Sequence, residues 1–547
     1  MINLGIDFGS TYTLASVYNE ATDNLEAVSP DQTANNFPSI VAYSEKKDKF
    51  EFGEASKLRI GKPGYRIFKN FKMLIGEKDK ALCKERGYDD SFPAERIAGI
   101  FLKHIMEKAV SRCQSDGIDN LVICVPEIWN DNLRRVDSKN ILRNICEETG
   151  LARSVTVVSE PAAASAYFAY DYQCSMKTDF NGNILMIDYG GGTLDLTLTN
   201  VSGHGSGVEI KVLERCGAGE NEEKQIGKAS VVYMESVVRR SIIAAGLEEE
   251  GFEPDDGFFL AVFQFERFLT SEAERVTDTF IEFESTPEDL DDEEFTEIEY
   301  KDDYVTVTFG TMLRVYNELI APVLSSNLDH MCRYMTDKGY PFMSNAVDNF
   351  KIVLVGGFGN YYLVKKQIDE RFRISSKDKR SFTQDQGERE KAIAFGAALL
   401  ANKRIRIRST APYSIGLLTR DVNGKVQYLY AIRYKQDIEP DTIYYQNKPD
   451  GKKAIILTAG GGFREFIINF GDNDSTALTL TPNSELVRRL QNVVTNQYKT
   501  ATVGFSLDTS GVLSLHVGDY DMITRAEGEP KQIKLKALKD MFDTIVL

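Results

Sequence analysis

Cysteine is sparse and unpatterned in this chain. Its seven residues (Cys83, Cys113, Cys124, Cys146, Cys174, Cys216 and Cys332) are odd in number and include no Cys-x-x-Cys pair. That spacing argues against a disulfide framework or a zinc ribbon, and the residues read as small buried apolar groups. Histidine is scarcer still. The four residues His104, His204, His330 and His516 show no metal-ligand spacing. No apolar run reaches transmembrane length. The first apolar stretch is too short for a signal peptide and has no basic region before it, so a cytoplasmic location is expected, with no membrane partner. Positive charge is also in short supply. The formal net charge of −17 argues against general nucleic-acid binding, which needs a basic surface. Much of the acid lies in residues 282–303, which read as a solvated loop between strands.

What is present is a large soluble composition. At 547 residues the chain exceeds one core, and about three to four domains or subdomains are expected. The opening stretch sets the theme. Ile2-Asn3-Leu4-Gly5-Ile6-Asp7-Phe8 reads as a buried strand that ends on an aspartate side. Gly9, Ser10, Thr11 and Tyr12 follow as a turn, and Leu14-Ala15-Ser16-Val17-Tyr18 returns as a second strand. A carboxylate beside small donors at a hairpin tip suits a magnesium–phosphate ligand, and Gly9 lets the backbone approach it.

The pattern recurs. Ile184-Leu185-Met186-Ile187-Asp188-Tyr189-Gly190-Gly191-Gly192-Thr193-Leu194-Asp195 is again strand, aspartate, glycines, hydroxyl and returning strand. Two such grips suggest two similar halves facing each other across a cleft. Neither is a Walker loop or a Rossmann fingerprint, whose glycines lead into a helix. A third glycine site, Val355-Gly356-Gly357-Phe358-Gly359-Asn360, follows a buried strand and precedes a helix over 361–372. That arrangement suits a nucleoside.

Between these sites the periodicity predicts helices over 94–112, from Asn130 or Asp131 to Gly150, 162–170, 230–245, 258–275, 311–338 and 392–400. Strands are predicted over 121–125, 155–158 and 304–308. A basic segment with Lys57, Lys69 and Lys72 offers a phosphate-reaching lysine, although spacing alone does not select one. At 403–408 the composition changes to alternating basic and aliphatic residues. Beyond it, short runs at 413–418, 426–434, 454–458, 465–470, 477–481, 502–507 and 512–517 predict a β-sandwich, with a short helix over 534–542.

These residues resemble a known family. The three glycine sites in this order resemble the nucleotide cleft of the actin/hexokinase/heat-shock ATPase superfamily. Closer matches point to DnaK-type heat-shock chaperones: Lys72-Met73-Leu74-Ile75-Gly76, Val125-Pro126-Glu127-Ile128-Trp129-Asn130-Asp131, Ser159-Glu160-Pro161-Ala162 and Ala411-Pro412-Tyr413-Ser414-Ile415-Gly416. The likeness is strong up to Leu400 and weaker after it. It implies an α/β fold: an actin-like ATPase domain of two similar lobes over 1–402, a linker over 403–410 and a β-sandwich, peptide-binding-like domain over 411–547. The family's long helical lid has no room after Val517 at about 1.5 Å per helical residue, so a domain without a lid is expected.

The resemblance also implies roles. Asp7, Asp188 and Asp195 would hold hydrated magnesium. Ser10, Thr11, Tyr12 and the loop of Gly190, Gly191, Gly192 and Thr193 would cradle the phosphates of ATP or ADP. Lys72, Glu160, Asp188 and Asp195 would be catalytic. Pro126 and Arg134 would relay the nucleotide state. Gly356, Gly357, Phe358 and Asn360 would meet the nucleoside, with Glu272 and Arg275 on its other side. Phe358 and Asn360 depart from the family's serine and arginine, which leaves the preferred base open. The basic linker departs from the family's acidic one, and residues 217–228 are altered. The implied function is slow ATP hydrolysis coupled to weak, quickly exchanging binding of extended polypeptides, with possible co-chaperones. The alternatives are a non-hydrolysing nucleotide-binding exchange factor and a sugar-kinase-like phosphotransferase.

Overall fold

The computed structural model describes the chain except residues 29, 31–35, 131–132, 219–228, 345–347, 375–377, 379, 381–385, 409, 421–422, 447–452, 454, 458–464, 472, 497–499, 522, 536, 539–540 and 546–547; side chains at 128, 133–134, 206, 386–389, 419–420, 455–457 and 544–545 also lie outside the description. The chain divides into two compact units. The first comprises Met1–Ile128, Leu151–Ser154 and Ser159–Arg406, and the second Trp129–Gly150, Val155–Val158 and Ile407–Leu547.

The first unit uses one plan twice. Strand β1 (Ile2–Phe8) pairs antiparallel with β2 (Tyr12–Asn19) and parallel with β3 (Ile118–Val125). Strand β4 (Gly182–Tyr189) pairs antiparallel with β5 (Leu194–Ser202) and parallel with β7 (Phe350–Val355), and β5 continues to β6 (Glu209–Ala218). In both cases apolar runs bury the strands, and a short polar turn can only return the chain antiparallel. Helix α1 (Ala94–Arg112) turns Ile97, Phe101, Ile105 and Ala109 inward, as its four-residue recurrence predicts.

Helix α3 (Glu160–Met176) meets α8 (Gln386–Ala401) where a Cβ on Gly396 would lie 1.7 Å from Ala163 O. A Cβ on Gly5 would lie 2.3 Å from Ala398 N. The β1 backbone therefore touches α8 directly. Helices α4 (Ser230–Ala244), α5 (Asp256–Ser271), α6 (Ala273–Glu282) and α7 (Tyr362–Phe372) surround the second sheet. The single helix expected over 258–275 is broken at Glu272, which ends α5 and opens α6.

The acidic block is not simply a loop. Glu294–Tyr300 pairs antiparallel with Asp303–Thr308, and its Phe295, Ile298 and Tyr300 are buried between exposed carboxylates. Net charge masked these apolar positions, of which Ile298 and Tyr300 are two residues apart, with a register shift between Glu294 and Thr296. In the basic linker segment Ile405 is buried, Arg406 N donates to Val208 O at 3.0 Å, and the Arg404 guanidinium lies 5.5 Å from the Tyr18 ring centre.

In the second unit, strands β8 (Ser414–Arg420), β9 (Val426–Ile432), β10 (Phe466–Asn469), β11 (Leu478–Pro482) and β15 (Phe542–Ile545) form one sheet in the order β9-β8-β10-β11-β15. Tyr444–Tyr445, β12 (Thr500–Leu507), β13 (Leu513–Asp519) and β14 (Lys531–Lys534) form another in that order. Their inner faces share one core with helix α9 (Ser484–Val493) and with Val136 of helix α2 (Leu133–Glu148). The helix expected over 534–542 is replaced by strands β14 and β15 on either side of a connection whose Leu535, Ala537, Leu538 and Met541 are buried. Helix α9 was not expected. Its cap, Asn483 Oδ1 accepting from Leu486 N at 3.0 Å, and its buried Leu486 and Leu490 are legible once the chain is in view. Asp131, most of the altered segment 217–228 and part of the run at 454–458 lie outside the described residues.

Candidate functional site

The first turn is built by sterics and pinned by one serine. A Cβ on Gly9 would sit 2.1 Å from Tyr12 O, so only glycine allows the turn to close so tightly. Ser39 then holds it from the side. Its N–H donates to Thr11 O at 2.8 Å, its Oγ donates to Gly9 O at 2.8 Å, and its Oγ lies 2.9 Å from Thr13 Oγ1. Ser39 had no signal in the sequence beyond being a hydroxyl between Pro38 and Ile40, because its role depends on a distant pairing.

The second turn carries Gly190 N donating to Thr193 O at 3.1 Å, and the start of α4 rests on it through Val231 N to Gly191 O at 3.1 Å. The two turns face each other. A Cβ on Gly191 would meet Thr11 Oγ1 at 2.3 Å, and one on Gly192 would meet Ser10 Oγ at 2.8 Å. Gly190 and Gly357 open on free space. Gly356 adopts φ 79°, where a Cβ would strike Tyr189 O at 2.5 Å and Asp188 Oδ1 at 2.6 Å. The third glycine site therefore abuts the second.

Several charged residues gather near these turns. Lys72, buried in the short helix Phe71–Leu74, pairs through Nζ with Glu160 Oε1 at 2.5 Å. Asp7 lies at the end of β1 in register with Cys124, and Asp188 lies opposite Asp195 across β4 and β5. Burial lifts the Asp7 carboxyl to about 7, with Glu160 adding and Lys72 opposing. Burial also holds the Asp188 carboxyl well above the usual carboxylate range, reinforced by Glu160, Asp195 and Asp7. Asp188 Oδ2 is buried with no hydrogen-bond partner among the described residues.

Clustered carboxylates that raise one another, with an oxygen left over, are the donor set a hydrated magnesium ion relieves. No three acidic, histidine or cysteine side chains among the described residues converge tightly enough to chelate a metal unaided.

Other expected site residues stand elsewhere. The Phe358 ring is buried in an aromatic cluster, stacked on Tyr361 with centroids 5.4 Å apart and edge-on to Tyr189 at 5.0 Å. Its side chain is a core group, so a ligand contact there falls to the backbone. Asn360 closes the short turn Gly357–Asn360 and is half-buried. Arg275 is committed to Glu272 Oε2 at 2.8 Å, Phe295 O at 3.1 Å and Glu294 O at 2.9 Å. That is a structural use of the pair. Tyr12 is exposed, with Lys57 Nζ 5.0 Å from its ring centre. Pro126 is buried after β3, and the next residue, Glu127, accepts from Arg215 at 3.0 Å. Arg134 lies in α2, with its side chain outside the description. Two further features escaped sequence reasoning. Arg86 pairs with Glu235 of α4 at 3.2 Å, and the half-buried Glu266 of α5 lies within the electrostatic reach of Lys69 and Lys57.

With this geometry in hand, comparison with known proteins is informative. Residues 3–212 match the family model described as Hsp70 protein. The chain is similar to "Heat shock 70 kDa protein 2" of Paracoccidioides lutzii, 24% identical over 76% of this chain and 61% of the relative. It is similar to "Heat shock 70 kDa protein" of Ajellomyces capsulatus, 24% identical over 76% of this chain and 57% of the relative. "Heat shock cognate 70 kDa protein 3" of Dictyostelium discoideum is 26% identical over 37% of this chain and 34% of its own length. The chain thus spans about three fifths of the first two relatives. No helix among the described residues is long and apolar enough to cross a membrane.

Proposed function

We propose that this chain is a member of the Hsp70 family, which it resembles, and that its first unit is a slow, magnesium-dependent ATPase whose cycle is coupled to polypeptide binding by the second. The observation that carries the reading is the meeting of Lys72 and Glu160 beside the Asp7–Asp188–Asp195 cluster, with two glycine-and-hydroxyl turns facing each other. The kinship supplies the coupling to polypeptides.

Ser10, Thr11, Thr193 and the N–H groups of Gly191 and Gly192 hold the β- and γ-phosphates. Asp7, Asp188 and Asp195 hold hydrated magnesium, which when bound offsets charge on the phosphate oxygens. Glu160 fixes the Lys72 ammonium beside the γ-phosphate and accepts a hydrogen bond from the attacking water. The water oxygen bonds to the γ-phosphorus as the bond to the bridging oxygen breaks, leaving ADP and phosphate. The rate comes from positioning and charge, not from a covalent intermediate, so turnover is slow. With Phe358 buried and Arg275 committed, phosphate contacts carry more of the affinity than the base does.

Single-turnover hydrolysis of magnesium-ATP, with calorimetric binding on the same sample, tests this. Lys72→Ala should slow hydrolysis about 100-fold and change ATP affinity far less. An unchanged rate removes Lys72 from the mechanism. Binding without turnover in the unmutated chain supports a non-hydrolysing exchange factor, and ADP release that requires a sugar supports a kinase. Polypeptide binding is proposed to be weak and quickly exchanging. Anisotropy with extended apolar peptides, with and without ATP, reads it directly, and silence in both states would end the proposal.

A further inference from the structure

A cavity of about 420 Å³ lies wholly within the second unit, bounded by α2, α9 and the edge strand β14. That volume admits a small ligand or the end of a peptide. Val493, Val512, Ile533 and Leu535 give it apolar walls. Its polar lining contains an anomaly. Asn140 of α2 is only 3% exposed, and neither its Nδ2 nor its Oδ1 has a hydrogen-bond partner among the described residues. A buried carboxamide with both functions unmet is costly and rare in native proteins.

The cations around it are unevenly used. Arg143 bonds through Nε to Glu147 at 2.9 Å and through Nη1 to Asp508, and Arg489 bonds through Nε to Glu485 at 2.8 Å. The rim acid Glu147 is thus already spent. Lys534, exposed at the end of β14, has no ion pair among the described residues.

We infer that this cavity binds a carboxylate-terminated amide, the chemistry of a peptide's C-terminal residue, through the Asn140 carboxamide and the Lys534 ammonium. An amide presents N–H and C=O side by side and meets both halves of Asn140 at once. Phosphate or a bare carboxylate offers acceptors only and leaves Asn140 Oδ1 unmet. A nucleobase edge also pairs with a carboxamide, yet no aromatic ring lines this cavity to stack on it. The ligand's carboxylate takes the free cation, and its terminal side chain packs on the four apolar residues. Nothing in this site depends on the phosphate residues of the first unit, so it stands or falls separately from the ATPase reading.

The test is anisotropy of a fluorescein-labelled peptide ending in a free leucine carboxylate, titrated with the full chain. The same peptide with an amidated end and free N-acetyl-leucine serve as the other arms. The acid should bind about tenfold or more tightly than the amidated form. N-acetyl-leucine should displace it, weakly if peptide ends are the natural source and as strongly as the peptide if a free acylated amino acid is. Lys534→Ala should erase the preference for the acid. Asn140→Leu, of similar volume, should abolish binding while the melting temperature holds or rises, because no internal hydrogen bond is lost. Absence of binding at millimolar peptide, or equal binding of acid and amide, overturns the proposal. So does a Lys534→Ala variant that keeps the preference, and this holds even if Asn140→Leu fails to fold.

Discussion

Asp188 faces Asp195 across an antiparallel pair, and the nearby Glu160 adds to the field that burial imposes on it. Asp7, Asp188 and Asp195 were legible in the sequence because each flanks a glycine turn beside an apolar strand. Ser39 was not, because its three contacts to the first turn arise only when residues far apart in the chain are laid side by side. Burial also shapes His516 of β13, whose Nε2 lies 2.7 Å from Ser506 Oγ. Burial pushes this imidazole below its ordinary value, with Asp441 opposing. The folded state therefore favours the neutral ring, while the unfolded chain takes up the proton at the ordinary value of about 6.5. Stability should be fully present above that value and fall as the pH drops through it toward the lowered folded value. Urea melts of the wild type and His516→Gln from about pH 7.5 to pH 5 read the difference. Parallel pH profiles for the two proteins would show that His516 contributes nothing.

At the scale of elements, the packing of α3 on α8 rests on missing side-chain volume. The 1.7 Å approach at Gly396 leaves no space for a methyl group, and the obstacle is the Ala163 backbone, which cannot swing aside. Gly396→Ala should cost about 1–3 kcal/mol, seen as a lower denaturant midpoint at unchanged slope. A midpoint equal to wild type would mean that the helices part without penalty. The alanine-rich sequence of both segments announced buried helices, but not that they meet each other. The same limit explains the acidic block. Its Phe295, Ile298 and Tyr300 are all buried, yet the intervening carboxylates dominated the composition. Conversely, a short helix was expected over 534–542, and strands β14 and β15 stand at its two ends, with Leu535, Ala537, Leu538 and Met541 buried between them.

At the scale of the whole first unit, the two repeats of strand, turn and strand are joined by more than the glycine turns. The Arg86–Glu235 pair links segments far apart in sequence, and the charge of Glu266 acts on Lys69 and Lys57. Burial depresses the Lys69 ammonium and raises the Glu266 carboxyl, so each is costly to leave without the other. If the cleft holds nucleotide as proposed, Arg86→Ala should speed release of a fluorescent ADP about 3–10-fold, since truncating a partly buried pair acts mainly on dissociation. Stopped-flow displacement measures it, and an unchanged release rate would show that the pair does not guard the cleft.

Family resemblance singled out Lys72 and Glu160; the sequence by itself determined the two strand, turn and strand units with their aspartates and the third glycine turn. Those features are local: a strand period, a glycine where a side chain cannot fit, a carboxylate at a strand end. Tertiary structure alone decided that Gly191 lies against Thr11, that Phe358 turns into the core, that Arg275 is spent on carbonyls, and that Asn140 is buried unmet beside a cavity. Each of these depends on which distant backbone or side chain arrives at the same point, and the burial that follows sets the charge and hydrogen-bonding state of the groups that meet there.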